Sequence, residues 1–228
     1  MLTRAEDHSQ QVEATSGGAD STLNALISDY REQLEAEMNT VIGTIAQSLT
    51  LQKPESSLGN WMADVLWEKA TYYSKRPVDF ALQNYGGIRI SELPAGPLTR
   101  GKIFELMPFD NQLVVLDLPG NIVDTLVQHM TQGGVWPCSR ALKIGLQNGQ
   151  LQHMALQGAP VFPSRTYRVA MPDFIADGGG RCFFLQGHPR EDLGIMIRDV
   201  LIDYVEEQER LQRPIQAQID GRVEIIDP

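Results

Sequence analysis

Gln83-Asn84-Tyr85-Gly86-Gly87-Ile88-Arg89 follows an apolar run, Val78-Asp79-Phe80-Ala81-Leu82, that predicts a strand. The stretch has the make-up of an anion pocket at a strand end. Two adjacent glycines let the backbone take positive φ and bring amides close to a ligand. Arg89 adds a planar fork of donors that suits phosphate or carboxylate. Taken alone, the same residues read more simply as a turn followed by a surface arginine. Two later stretches change that balance: Met107-Pro108-Phe109-Asp110-Asn111, and the run from Pro172-Asp173-Phe174 to Gly178-Gly179-Gly180. Each sets one aromatic beside turn residues.

In this order, an Asn-x-Gly-Gly-x-Arg turn, a Pro-Phe-x-Asn turn and a Phe-x-x-x-Gly-Gly turn resemble one family. It is the C-terminal, substrate-binding domain of the 5'-nucleotidases, a group that includes UDP-sugar hydrolases and cyclic phosphodiesterases. The similarity runs from about Val41 to about Ile226. Ser57-Leu58-Gly59-Asn60, Leu116-Asp117-Leu118-Pro119-Gly120 and Tyr167-Arg168-Val169 also fall where the family has like residues. The resemblance implies Phe109 and Phe174 on the two sides of a nucleobase, with Asn111 in contact with the base. Asn84 and Arg89 would then hold phosphate or nearby sugar groups, with Gly87 in the same substrate-binding turn. On the residues alone, each phenylalanine reads as core and Asn84 as a turn former.

The sequence departs from the family at three places. A further arginine of the phosphate grip falls near Gln52, with Lys53 beside it. The acid that holds the ribose hydroxyls is Gly180 here, followed by Arg181. Where the family often has Ser-Gly, Cys138-Ser139-Arg140 is expected to set a long cation near the base site. Each lost charged hydrogen bond costs about 1.5–3 kcal/mol, roughly ten- to a hundredfold in affinity.

Working outward, residues 1–20 lack a hydrophobic period and predict a flexible tail, leaving 21–228 as one domain. Asp20-Ser21-Thr22 supplies helix-capping chemistry. Leu23, Leu26, Ile27, Tyr30, Leu34, Met38, Val41, Ile42 and Ile45 then form one stripe, which predicts a long N-terminal helix. Ser56 or Ser57 caps a second helix with its stripe from Leu58 to Tyr73. Ile90 to Pro97 reads as a connection, Lys102 to Leu106 as a short helix, and Leu113 to Leu116 as a buried strand. Asn121 to Gln132 reads as a helix. Ala141 to Leu146 and Gln150 to Met154 flank Asn148-Gly149, a hairpin signal. Tyr167 to Met171 is a strand, Glu191 to Leu211 a helix, and Arg222 to Ile226 a last strand. Strands and helices mix without repeat, which predicts an α+β domain. The resemblance implies mixed sheets packed together with helices outside.

With 42% hydrophobic and 21% charged residues, the chain can bury a sizeable core. A formal net charge of -10 argues against a nucleic-acid polymer or an anionic membrane surface as partner, and leaves room for one small anion in a local pocket. No apolar run reaches the roughly 18 residues of a membrane span. Met1-Leu2-Thr3-Arg4 lacks the apolar core of a secretory leader, although the resemblance implies an exported protein. Cys138 and Cys182 have no metal-type spacing and read as buried free thiols.

His8, His129, His153 and His188 are not spaced as ligand pairs, so no metal site is expected in this chain. Ser139 and the other serines lack a local base or nucleophile elbow, so no catalytic residue is expected either. The resemblance therefore implies a substrate-binding half. A metallophosphatase domain or chain would carry two divalent metals and hydrolyse a nucleotide or related phosphate ester. The rival from another class is a non-catalytic binding module or scaffold that keeps the fold and has lost nucleotide recognition.

Overall fold

A computed structural model describes residues 21–226; the tail expected over 1–20 lies outside them. The chain divides into two units, one ending at Met38 and one beginning at Asn39. The first contributes helix α1 (Ser21–Met38). The stripe predicted to continue as helix to Ile45 breaks there, and Val41–Ile45 is strand β1. Four of its five residues are β-branched, which favours a pleated backbone. The fifth, Gly43, sits so close to the helix at Ile197–Arg210 that a Cβ would lie 2.5 Å from Val205 Cγ1.

The second unit continues with β2 (Leu49–Thr50), α2 (Ser57–Ser74), β3 (Phe80–Ala81), β4 (Glu92–Leu93), β5 (Gly96–Thr99) and α3 (Arg100–Leu106). Next come β6 (Gln112–Pro119), α4 (Gly120–Thr131), β7 (Leu142–Gln147), β8 (Gln150–Leu156) and β9 (Ala159–Pro160). β10 (Thr166–Pro172), α5 (Asp173–Ala176), β11 (Arg190–Met196), α6 (Ile197–Arg210) and β12 (Val223–Ile225) complete it. The architecture is α+β, with mixed sheets and outer helices. The expected connection from Ile90 to Pro97 in fact holds β4, paired with β2, and the start of β5, paired with β1.

The central sheet has the order β11-β6-β10-β3, and its register sorts the core. Along β6, Leu113 and Val115 enter one hydrophobic cluster, whereas Val114, Leu116 and Leu118 enter a second. β10 alternates likewise, with Ala170 in the first cluster and Tyr167, Val169 and Met171 in the second. This is the two-residue period of a sheet buried on both faces. The first cluster takes its helical side from α2 and α6, the second from α4. A second four-stranded sheet, β12-β7-β8-β9, carries the predicted hairpin. Its turn residues Asn148 and Gly149 both have positive φ, 52° and 74°, as a tight hairpin turn with matching twist requires.

The helix predicted from Glu191 begins only at Ile197, because Arg190–Met196 is strand β11 paired with β6. Gly194, at φ 68°, occupies a conformation no helix interior tolerates, and Leu193 and Ile195 pack on the first cluster as part of a strand.

Polar staples close the second unit. Ser56 caps α2 by accepting from the Gly59 amide at 3.1 Å. Lys69 donates to Asp203 at 2.8 Å and Glu207 at 2.6 Å, joining α2 to α6. Arg222, 2% exposed, donates to Asp64, Asp220 and the Cys138 carbonyl, tying the last strand to α2 and the Cys138 turn.

Candidate functional site

The sheet register explains why three stretches far apart in sequence meet. β10 is antiparallel to β6, with Pro172 opposite Leu113, so the end of β10 lies beside the start of β6. β10 is parallel to β3, with Ala170 opposite Ala81, so the end of β3 lies there too. The turn after β3, the turn before β6 and the helix after β10 therefore leave the sheet at one edge. Between them is an open cleft of about 580 Å³, lined by Asn84, Gly86, Gly87, Phe109, Asp110, Asn111, Phe174 and Gly180.

Five of the six expected site residues are in its wall, and Arg89 is not. Phe109 and Phe174 are 38% and 49% exposed, so neither is a core side chain. Nothing in the apolar clusters claims them, and an exposed aromatic pair in one concave surface is what a flat ligand needs. Arg89 is exposed, donates its main-chain amide to Leu106 O at 3.0 Å, and holds its guanidinium over the Phe109 ring, 5.6 Å from the centroid. No carboxylate pairs with it among the described residues.

Gly86 and Gly87 form a 3₁₀ turn with Tyr85, and neither has the positive φ expected of them. Their role is close approach: a Cβ on Gly87 would collide with the Gln83 amide, which is wholly buried beneath the turn. Asn84 accepts from the Gly87 amide through its main-chain oxygen at 3.1 Å, while its side chain makes no cap hydrogen bond. The side chain is thus not the turn former, and Asn84 lines the cleft.

On the opposite wall, Gly178 and Gly180 do adopt positive φ, 95° and 61°. Gly179 lies so close to Phe174 that a Cβ would sit 2.6 Å from the ring. Gly180 is held from behind by His129, whose Nε2 is 2.8 Å from the Gly180 carbonyl oxygen and whose ring meets Trp136 and Phe184 edge-on.

Two side chains that sequence reasoning missed position the walls. Arg198, in the first turn of α6, donates to Asp110 at 3.0 Å and stacks on Phe104 at 4.4 Å, which holds the Phe109-Asp110 turn against α6. Asp173 accepts from the Phe174 amide at 2.7 Å and from Asn111 Nδ2 at 3.0 Å. Arg198 carried no local signal, since its partner is 88 residues away; Asp173 had one in its place at the head of α5.

Two cations at the departures from the family, Arg140 and Lys53, are engaged by other partners. Arg140 lies over the Trp67 ring at 5.3 Å with Asp64 3.8 Å away, and does not line the cleft. Lys53 donates to Gly133 O at 2.5 Å and lies 5.0 Å from the Tyr85 ring, and the Tyr85 hydroxyl donates to Gln52 O at 3.0 Å. Burial, and then the charge of a Cys138 thiolate, push the Tyr85 phenol up to about 12, so it is neutral at physiological pH. Ser139 is buried and accepts the Ala81 amide at 3.0 Å, a structural use of its hydroxyl. Cys138 and Cys182 are buried free thiols, raised by burial to about 12 and about 11. Among the described residues, no group of three or more His, Cys, Asp or Glu could hold a metal ion. None of the described helices is long and apolar enough to cross a membrane.

Residues 41–186 match the family profile described as 5'-nucleotidase, C-terminal domain. The chain belongs to the 5'-nucleotidase C-terminal domain family. Among curated relatives it is similar to the trifunctional nucleotide phosphoesterase protein YfkN of Bacillus subtilis, 28% identical over 86% of this chain and 14% of that protein. It is also similar to the protein UshA of Escherichia coli, 29% identical over 62% of this chain and 26% of that protein. Among solved structures, the 5'-nucleotidase precursor from Thermus thermophilus superposes with a TM-score of 0.77 at 28% identity, over 91% of this chain and 43% of that one. The chain thus spans less than half the length of these 5'-nucleotidase family relatives.

Proposed function

We propose that this chain is the substrate-binding half of a 5'-nucleotidase-type phosphoesterase. The observation that carries the reading is the pair Phe109 and Phe174, solvent-facing in the walls of one cleft with Asn84, Asn111 and the glycine turn. A nucleobase stacked there gains about 1–3 kcal/mol per base from an aromatic partner. Arg89, whose guanidinium lies over the Phe109 ring and pairs with no carboxylate among the described residues, is the group assigned to the phosphate. Hydrolysis belongs to a metallophosphatase domain or chain that brings two divalent metals and the attacking water; this chain contributes orientation of the ester. Passage out of the cytoplasm belongs to the same proposal, supported by the description of the Thermus thermophilus relative as a precursor.

The test is calorimetric titration with adenosine, AMP and UDP-glucose, beside folded Phe174→Ala and Arg89→Ala variants. Saturable AMP binding is expected. Phe174→Ala weakens AMP and adenosine alike, by about 1–3 kcal/mol. Arg89→Ala weakens AMP roughly ten- to a hundredfold and adenosine far less. One observation favours the rival reading, a scaffold without nucleotide recognition: Arg89 engages Phe109 and stays outside the cleft wall. Absence of binding at millimolar ligand would support that rival.

A further inference from the structure

One polar side chain in the cleft wall has its direction fixed from behind. Asn111 is anchored through its main-chain oxygen, which accepts from the Ile197 amide at 2.9 Å. Its side-chain Nδ2 donates to Asp173 Oδ1 at 3.0 Å. The same carboxylate oxygen accepts from the Phe174 amide at 2.7 Å, so Asp173 is held in turn by the first residues of α5.

An ionised carboxylate has lone pairs and no proton to give. Turning the Asn111 amide by 180° would set its Oδ1 against Asp173 Oδ1, two acceptors facing each other with no hydrogen between them. The amide therefore keeps one orientation. Oδ1 is left to accept from a ligand, and the second Nδ2 proton is left to donate beside it. That pair of groups matches an amino group next to a ring-nitrogen acceptor, as in adenine or cytosine. Hypoxanthine, guanine and uracil present the reverse, a carbonyl acceptor next to an N–H donor.

We propose that Asp173 is a positioning residue that sets base specificity: by locking Asn111, it makes the cleft select amino bases over keto bases. This rests on the nucleotide reading above and adds the class of base. The cleft's two aromatic walls are indifferent to the identity of the base, because every base offers a π-face. Discrimination falls to the one wall amide with a fixed polarity.

The experiment is calorimetric titration of the full chain with AMP and with IMP, which differ at position 6 of the purine and in the proton on N1. AMP is expected to bind about tenfold or more tightly than IMP. Asp173→Ala removes the oxygen that accepts from Asn111 Nδ2, so that the Asn111 amide can take either orientation. In that variant the two affinities are expected to converge to within about threefold. A merely structural role for Asp173 would weaken both nucleotides alike and leave their ratio unchanged. Equal affinities in the unsubstituted chain, or an unchanged ratio in Asp173→Ala, overturn the inference and leave the nucleotide reading standing. Failure of both nucleotides to bind overturns both.

Discussion

Arg222 shows how much one residue can hold. Burial by itself would lower its pKa, yet hydrogen bonds to Asp220 and Asp64 and their negative charge keep it well above the ordinary arginine value. Removing the guanidinium leaves carboxylates of Asp64, Asp220 and Glu55 facing one another at a buried edge of α2. Arg222→Leu is expected to cost about 3–5 kcal/mol, the price of stranding buried charge, read as a lower urea midpoint. Acid reports on the same residues. The Arg222 hydrogen bond, against the opposing effect of burial, holds the Asp220 carboxyl below its ordinary 3.8. A depressed carboxyl contributes stability that is present above the unfolded value and lost as pH falls through the folded one. The unsubstituted chain should therefore lose stability as pH drops below about 4. Arg222→Leu should show a shallower loss over that window, because its Asp220 is no longer held down.

At the scale of elements, α4 depends on the absence of one side chain. Its first residue, Gly120, donates its amide to Arg165 O at 2.8 Å and lies against the Phe162 backbone, where a Cβ would strike the carbonyl. Gly120→Ala is expected to destabilise the chain by about 1–3 kcal/mol through overpacking, measurable by denaturant unfolding. Such contacts mark the boundary of what the sequence makes legible. Periodicity placed α2, β6, the β7–β8 hairpin and β10, because each has a clean local pattern. It carried α1 past Met38 and made β11 a helix. Val41, Ile42 and Ile45 satisfy both a helical and a strand spacing over so short a run, and only pairing with β5 decides between them. Motif order singled out Phe109, Phe174 and Asn111, which share the wall of one cleft. The expected positive φ at Gly86 and Gly87 was wrong, since a glycine kept for close approach looks the same in sequence as one kept for φ. Arg198 and the displaced Arg140 depend on partners far along the chain, so no local pattern reports them.

For the second unit as a whole, the central sheet is a wall shared by both apolar clusters, and β6 is hydrogen-bonded on both sides, to β10 and β11. In deuterated solvent, the amides of β6 and β10 should exchange only when the unit opens globally, and be its slowest set. The turn at Phe109 and the four-residue helix at Phe174 hang from the edge of that wall with exposed rings, and their amides should exchange by local fraying. Uniform exchange rates across both groups would contradict this. The consequence is a clock built into the molecule: a ligand closing on the two phenylalanines would slow the fast set and leave the slow set untouched. Occupancy of the cleft could then be timed, amide by amide, without altering a single residue.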